Sequence, residues 1–240
     1  MENNFLKIIK DRKSLRVPFD LNKKISKEDL FQILEAAKYT PTPHNMQNFA
    51  IMIIDDKELL EKMGNIKSLP TEEFIRENFE NLLMSIEELQ KKKTGILGTF
   101  FPEDWRDKNK LDKAVKERKP TPLKYTLQNG PTLLIITYDK TKRAPDSKGD
   151  FLGIIGLGCL MENLWLMAES LGIGVHVLSE FGEDPIDKEV KKLLKIPDNL
   201  NIAYALRLGY PKSKDNIKSP HVRRDISDFV HDNLYGKHCS

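Results

Sequence analysis

A chain of 240 residues with 39% hydrophobic content can bury a substantial core, as one domain of ordinary size or one domain carrying an insertion. Its 39 basic and 36 acidic side chains leave a net charge of +3, an excess too small and too evenly mixed to argue for nucleic acid as a partner. Two cysteines, Cys159 in an apolar stretch and Cys239 at the extreme end, make no disulfide framework and no metal motif, which fits a reducing cytoplasm. The first ten residues lack the uninterrupted apolar core of a signal peptide. The longest apolar run, residues 151–161, stops at Glu162 and is too short to span a bilayer, so no membrane insertion is expected.

In chain order, Phe5, Ile8 and Ile9 suggest a first helix that stops near Arg12. Ser26 with Asp29 three residues on opens a second helix through Leu30, Ile33, Leu34 and Ala37, and Pro41 and Pro43 end it. Residues 49–54 read as a buried strand bounded by Asp55 and Asp56. From residue 71 to 93, Ile75, Phe79, Leu82, Leu83, Ile86 and Leu89 mark one long amphipathic helix. A charged and solvated helical segment follows over residues 103–119. Residues 131–138 form a strand whose Leu133, Leu134, Ile135 and Ile136 leave no wet face, so it belongs at the sheet centre.

The strongest helix covers residues 149–172 and carries Gly153, Gly156 and Gly158, each costing about 1 kcal/mol of helix propensity against alanine. Close approach of a second helix, plausibly its own copy in a dimer, is the expected compensation. A phosphate loop is the alternative, but the G-x-x-G-x-G spacing follows no strand and has no Walker lysine. A strand over residues 173–178, a turn at Ser179, Glu180, Phe181 and Gly182, a helix capped by Asp184 and Pro185, and a last core strand over residues 201–208 complete the body. With no internal repeat or low-complexity linker, residues 1–240 read as a single domain with a helical insertion at about 65–125 and a tail at about 212–240. Ile226, Phe229, Val230, Leu234 and Tyr235 make that tail apolar enough to clasp a partner surface.

Three short segments stand out as pieces of one phosphate-bearing cofactor site. Arg12-Lys13-Ser14-Leu15-Arg16 packs three cations and a hydroxyl into five residues, enough fork-shaped and point-charge donors to hold a dianionic phosphate. By itself it would read as a solvated basic patch at a helix end. Pro41-Thr42-Pro43-His44-Asn45-Met46-Gln47 enters the first strand, and Arg223-Arg224 lies near the C-terminus. The five histidines show no metal-ligand spacing; His44 alone is held open, because it lies inside the loop. Trp165 and Met167 read as core. Trp105, beside Phe100, Phe101 and Pro102, either lines a lid over the site or anchors a surface helix.

The order R-K-S-L-R, I-L-E-A-A-K (33–38), T-P-T-P-H-N-M-Q-N-F, E-N-L-W-L-M-A-E-S-L-G-I-G (162–174), L-L-K-I-P (193–197), L-G-Y-P (208–211) and V-R-R-D (222–225) resembles the FMN-dependent nitroreductase family, over roughly residues 5–55 and 131–240. The resemblance implies an α+β fold, a four- or five-stranded mixed sheet flanked by helices, in an intertwined homodimer with FMN at the subunit interface. It further implies that Arg12, Lys13, Ser14 and Arg16 hold FMN from one subunit while Pro41, Thr42, Pro43, Asn45 and Gln47 reach it from the other. By the same likeness, Leu178, Ser179 and Glu180 match the turn facing the flavin N5 edge, and Arg223 with Arg224 completes the phosphate clamp. Three places depart from the family: Thr42 stands where Ser is usual, Asn48-Phe49 where Pro-Trp is usual, and Ser179-Glu180 replaces a turn in which Gly is common.

A flavin performs the redox chemistry itself, so no catalytic side chain and no metal is expected. The implied activity is ping-pong reduction of nitroaromatics, quinones or similar small acceptors with NADH or NADPH. Two alternatives stay open: a specialised flavin enzyme of the same fold, such as a reductive dehalogenase or a flavin-cleaving enzyme, and a non-catalytic α/β module binding an anionic partner.

Overall fold

The computed structural model describes residues 3–92, 103–127, 130–212 and 223–237. The chain divides into two compact units, one formed by Met1–Ser68 with Thr121–Ile217, the other by Leu69–Pro120 with Lys218–Ser240.

The first unit is built on a four-stranded antiparallel sheet in the order β1-β4-β6-β5, with β1 at Phe49–Ile54, β4 at Thr132–Asp139, β5 at Gly174–Leu178 and β6 at Leu200–Gly209. Side chains of successive strand residues point to opposite faces, and here both faces are covered. Leu134 and Ile136 face α2 (Lys27–Lys38) and α8 (Phe151–Ser170), packing with Ile33, Ala37, Leu157, Leu160 and Leu164. Leu133 and Ile135 face the opposite cluster, with Met63 of α3 (Lys57–Gly64), Leu127 of α7 (Lys124–Leu127) and Ile186 and Val190 of α9 (Ile186–Leu194). The interior place expected for residues 131–138 is therefore met. A two-residue ribbon, β2 (Lys67–Ser68) with β3 (Thr121–Pro122), closes this unit.

Local signals set the helix ends. Helix α1 spans Asn4–Asp11 behind Asn3, whose side chain accepts from the Phe5 amide. Ser26 Oγ accepts from the Asp29 amide at 2.9 Å, as its spacing predicts. Asp184 and Pro185 behave differently from expectation: α9 begins at Ile186 with no side-chain cap, because the ring-closed Pro185 precedes the first turn.

Three further expectations are corrected. Strand β1 is an edge strand, with Ala50 and Ile53 exposed, because β4 alone pairs with it. The apolar run at residues 151–161 continues through Glu162 and Asn163 into a 20-residue helix that by length and composition could cross a membrane. One of its faces packs into the core, burying Leu157, Leu160, Leu164, Trp165 and Ala168. Within its own chain Gly156 faces a loop rather than a helix: a Cβ there would meet Pro43 Cδ at 3.3 Å, while one on Gly158 would meet nothing within 4 Å. The helix that α8 crosses within the chain is α2.

The second unit carries α4 (Glu72–Leu82), α5 (Ile86–Lys92) and α6 (Lys108–Glu117). The single helix expected over residues 71–93 is broken at Ser85. Its hydroxyl accepts from the Glu88 amide at 3.1 Å and its amide donates to the Glu88 carboxylate at 2.6 Å, a reciprocal capping box that starts a new helix. Ile75, Trp105, Leu111 and Val115 form a small core, in which Phe74 meets Trp105 edge to face at 5.9 Å. Trp105 packs within this small core; Phe100, Phe101 and Pro102 lie outside the described residues. The tail residues 223–237 contain a single-turn 3-10 helix, Ile226–Asp228, closed by an Asp225–Asp228 capping box, and leave Ile226, Phe229, Leu234 and Tyr235 exposed.

Candidate functional site

Past α1 the chain runs extended along the free edge of β5. Ser14 bridges Val175 in parallel, and the Leu15 amide donates to the Val175 carbonyl at 2.8 Å. Leu15 and Phe19 are buried, Phe19 completely. They fit because two strand positions lack a side chain: a Cβ on Gly174 would lie 2.6 Å from Leu15 Cδ1, and one on Gly209 would lie 2.7 to 2.8 Å from Phe19. Burying such a side chain stabilises by about 1.5–3 kcal/mol, enough to hold a short segment against the sheet.

Alternation then turns Ser14 and Arg16 away from Leu15, and both are half-buried, as are Arg12 and Lys13. Arg12 lies over the Trp165 ring, 4.4 Å from its centroid, with its Nε 3.3 Å from the Glu162 carboxylate. That approach is an ion pair without hydrogen-bond geometry, and both Arg12 Nε and the Trp165 indole Nε1 are buried donors lacking a hydrogen-bond partner. Burial pulls the Arg16 guanidinium below its usual range.

Loop 41–47 leaves α2 at Thr40, whose hydroxyl accepts from Asn163 Nδ2 of α8 at 3.2 Å. His44, Asn45 and Gln47 all adopt left-handed backbone, with φ of 50°, 52° and 43°, a conformation that costs non-glycine residues energy and collects at functional loops. Internal bonds hold it: Gln47 N–H donates to Thr42 Oγ1 at 3.1 Å and Gln47 Nε2 to Asn45 Oδ1 at 2.9 Å. Gly156 lets Thr42 and Pro43 rest on α8.

The turn that the resemblance implies, Ser179–Gly182, comes directly after Leu178 of β5. Phe181 is fully buried beneath it. Burial raises the Glu180 carboxyl above its usual range, partly offset by hydrogen bonds from its own amide and from the Thr126 side chain.

Strand β5 therefore joins two of the predicted pieces, with Ser14 and Leu15 at Val175 and the turn beginning at Leu178, about 10 Å further along the strand. Helix α8 brings in the loop: residues 41–47 rest near Gly156, while Arg12 meets Glu162 and Trp165, about 9–14 Å along the axis. Arg223 and Arg224 are carried by the second unit, where both are exposed and Arg224 stacks over Phe229 at 5.4 Å.

Residues 9–210 match the Nitroreductase family. The chain belongs to that family, a family of oxidoreductases. Among its curated relatives is an Archaeoglobus fulgidus protein whose name is that of an NADH dehydrogenase/NAD(P)H nitroreductase, 25% identical over 87% of this chain and 86% of its own length. A Staphylococcus haemolyticus NADPH-dependent oxidoreductase is 21% identical over 91% of this chain and 69% of its own length. The Desulfitobacterium hafniense nitroreductase solved with bound FMN shares the fold at TM-score 0.58 and 22% identity, covering 96% of this chain and 98% of its own. Nitroreductase family membership thus agrees with the resemblance read from the seven motifs.

Several residues that support the N-terminal segment carry no motif. Arg207, fully buried in β6, donates through Nη2 to the carbonyls of Leu15 and Val17 at 2.8 and 3.0 Å and through Nη1 to that of Leu127 at 3.1 Å. Its guanidinium also lies 4.5 Å from the Phe19 ring centroid. Burial lowers it to about 10, so it stays charged at neutral pH. His176, its cross-strand neighbour, is lowered to about 3 by burial and then by the charges of Arg207 and Arg16. The available signal was an arginine inside the otherwise apolar run of residues 202–208. Trp165, read as plain core, is also the platform for Arg12.

Proposed function

We propose that this chain binds FMN and uses NADH or NADPH to reduce small acceptors, nitroaromatics and quinones being the typical class, by a ping-pong sequence. The observation that carries this reading is the donor set on the docked N-terminal segment. Arg12 and Arg16 are held half-buried rather than left to sway in solvent, and two buried donors at the Arg12–Trp165 stack have no hydrogen-bond partner. Such a set suits a dianionic phosphate and a polar ring edge. The chain has a clamp for one terminal phosphate and no dinucleotide fingerprint, which favours FMN over FAD.

Arg12, Lys13, Ser14 and Arg16 would hold the phosphate, ribityl chain and pyrimidine edge, with Arg223 and Arg224 completing the clamp. Leu178, Ser179 and Glu180 would line the N5 side. When bound, FMN supplies the redox chemistry, accepting a hydride from the nicotinamide and passing electrons to a second substrate in the same place. The protein's share is to orient the ring and exclude water.

The active form in this reading is a homodimer in a reducing cytoplasm, with Pro41, Thr42, Pro43, Asn45 and Gln47 serving the partner's flavin. Phe151, Ile154 and Ile155 on the first turns of α8 are 61%, 55% and 45% exposed, an apolar face that a second copy would cover. The tail's exposed Ile226, Phe229, Leu234 and Tyr235 suit the same role. Purification tests the whole: a yellow dimer whose apoprotein takes up FMN and oxidises NAD(P)H with a nitroaromatic or quinone is expected. A colourless protein that cannot be reconstituted would overturn it in favour of an anion-binding module. Activity confined to a halogenated substrate or to flavin itself would favour the specialised relatives. Removal of residues 226–240 should cost dimer stability and bound flavin together; a stable, flavin-loaded monomer in sedimentation would refute the clasp.

A further inference from the structure

The N-terminal segment that carries Arg12 and Arg16 is too short to have structure of its own. Residues 12–19 form no helix and make one bridge to the edge of β5 and one at Phe19 to Pro211. What fixes their path is below them. Gly174 and Gly209 leave the space that Leu15 and Phe19 fill, and Arg207 rises from β6 to bond the Leu15 and Val17 carbonyls with a single nitrogen, Nη2, at 2.8 and 3.0 Å. Its Nη1 holds the end of α7 through Leu127 O. The stem passes where residue 130 has no side chain: a Cβ there would lie 2.3 Å from Arg207 Cγ and 2.6 Å from Cδ.

A fully buried cation on backbone carbonyls is a costly arrangement, because desolvating a charge is expensive unless several good hydrogen bonds meet it. An apolar residue would fill the core of a strand at lower cost. Only a planar fork can reach carbonyls on two separate segments at once; an ammonium on a flexible stem presents no such geometry.

We infer that Arg207 is a positioning residue for the cofactor site: without touching the flavin, it sets the register of residues 15–17 on the sheet edge and thereby aims Arg12 and Arg16. The inference rests on the reading that this segment binds the FMN phosphate. The carbonyls it holds, Leu15 and Val17, flank Arg16, and Leu15 lies three residues from Arg12. A shift of about 1 Å in such a support is enough to degrade a bound geometry.

The test uses full-length Arg207→Met, Arg207→Lys and Gly130→Ala, the last crowding the arginine stem without removing it. FMN binding to apoprotein is followed by flavin fluorescence, and amide exchange at Leu15 is followed in the same apoproteins. The expected result is an FMN Kd raised at least about tenfold in Arg207→Met, with partial recovery in Arg207→Lys, and faster exchange of the Leu15 amide in every variant that folds. In an Arg12→Ala background the added effect of Arg207→Lys should shrink below about twofold, because two residues acting through one contact are not additive. Folded variants with wild-type FMN affinity, or a loss that is unchanged in the Arg12→Ala background, would overturn the assignment. Should Arg207→Met not fold, Arg207→Lys and Gly130→Ala carry the same readings. Wild-type apoprotein that fails to bind FMN at all would sink the proposed function instead, while Leu15 exchange would still report on the anchor.

Discussion

The two segments proposed to embrace the flavin are held in opposite ways. Residues 12–19 have ordinary backbone and borrow their shape from elsewhere, from two glycine-made hollows and a buried arginine in distant strands. Loop 41–47 supplies its own: three left-handed residues, a threonine hydroxyl and an asparagine carbonyl close it within seven positions. The first is rigid only if the sheet is intact, whereas the second carries local strain that its surroundings must over-determine. A site assembled from one borrowed and one self-made wall should fail differently when each is perturbed.

The largest expected effect is on binding rather than folding. Arg12→Ala should weaken FMN by about 1.5–3 kcal/mol, the range for hydrogen bonds to charged groups, and Arg223→Ala should do the same if the tail completes the clamp. Titration of apoprotein showing unchanged affinity in both would remove the phosphate assignment. Next, Gly209→Ala should force Phe19 from its place and lower unfolding stability by about 1–3 kcal/mol. Gly158→Ala, with nothing of its own chain within 4 Å of the new carbon, should raise the stability of the dissociated chain by up to about 1 kcal/mol. Denaturant midpoints that move in the same direction for both would contradict the socket description.

The pH dependence sharpens the same wall. His176 is lowered from 6.5 to about 3 in the folded chain, so between those values the unfolded chain holds a proton that the folded chain does not. Stability from this group is complete above about pH 6.5 and is lost as pH falls toward 3, with a slope of up to about 1.4 kcal/mol per unit. His176→Gln should flatten that slope; urea titrations at several pH values that show an unaltered slope would exclude His176 as its source. The smallest effect belongs to the self-made loop. His44→Gly should leave stability within about 1 kcal/mol, since relief of the left-handed strain offsets the entropy that glycine adds to the unfolded chain. A loss of several kcal/mol in thermal unfolding would mean that the His44 side chain, not the backbone, holds the loop.

Much of the scaffold was legible before any coordinates. The four sheet strands are set by short apolar runs and α2 by Ser26 and Asp29, while the basic segments and the polar loop stand out by their donor chemistry. The split at Ser85 was also written in the chain, as a serine and a glutamate three apart, but the continuous apolar spacing from Ile75 to Leu89 outweighed it. The edge position of β1 was not legible, because an apolar run states that a strand is hydrophobic and not how many neighbours it has.

Sequence by itself determined which residue types could bind a phosphate and in what order the elements come, since periodicity, capping and donor chemistry are local properties. Tertiary structure alone decided which glycines matter and for what. Gly156 admits a loop, Gly174 and Gly209 admit Leu15 and Phe19, and Gly158 admits nothing, yet all four look alike in the chain. It also decided that Arg207, nearly 200 residues from Arg12, holds the segment that follows it. Close approach and buried hydrogen bonding depend on which strands become neighbours, and that is fixed only when the whole sheet has packed.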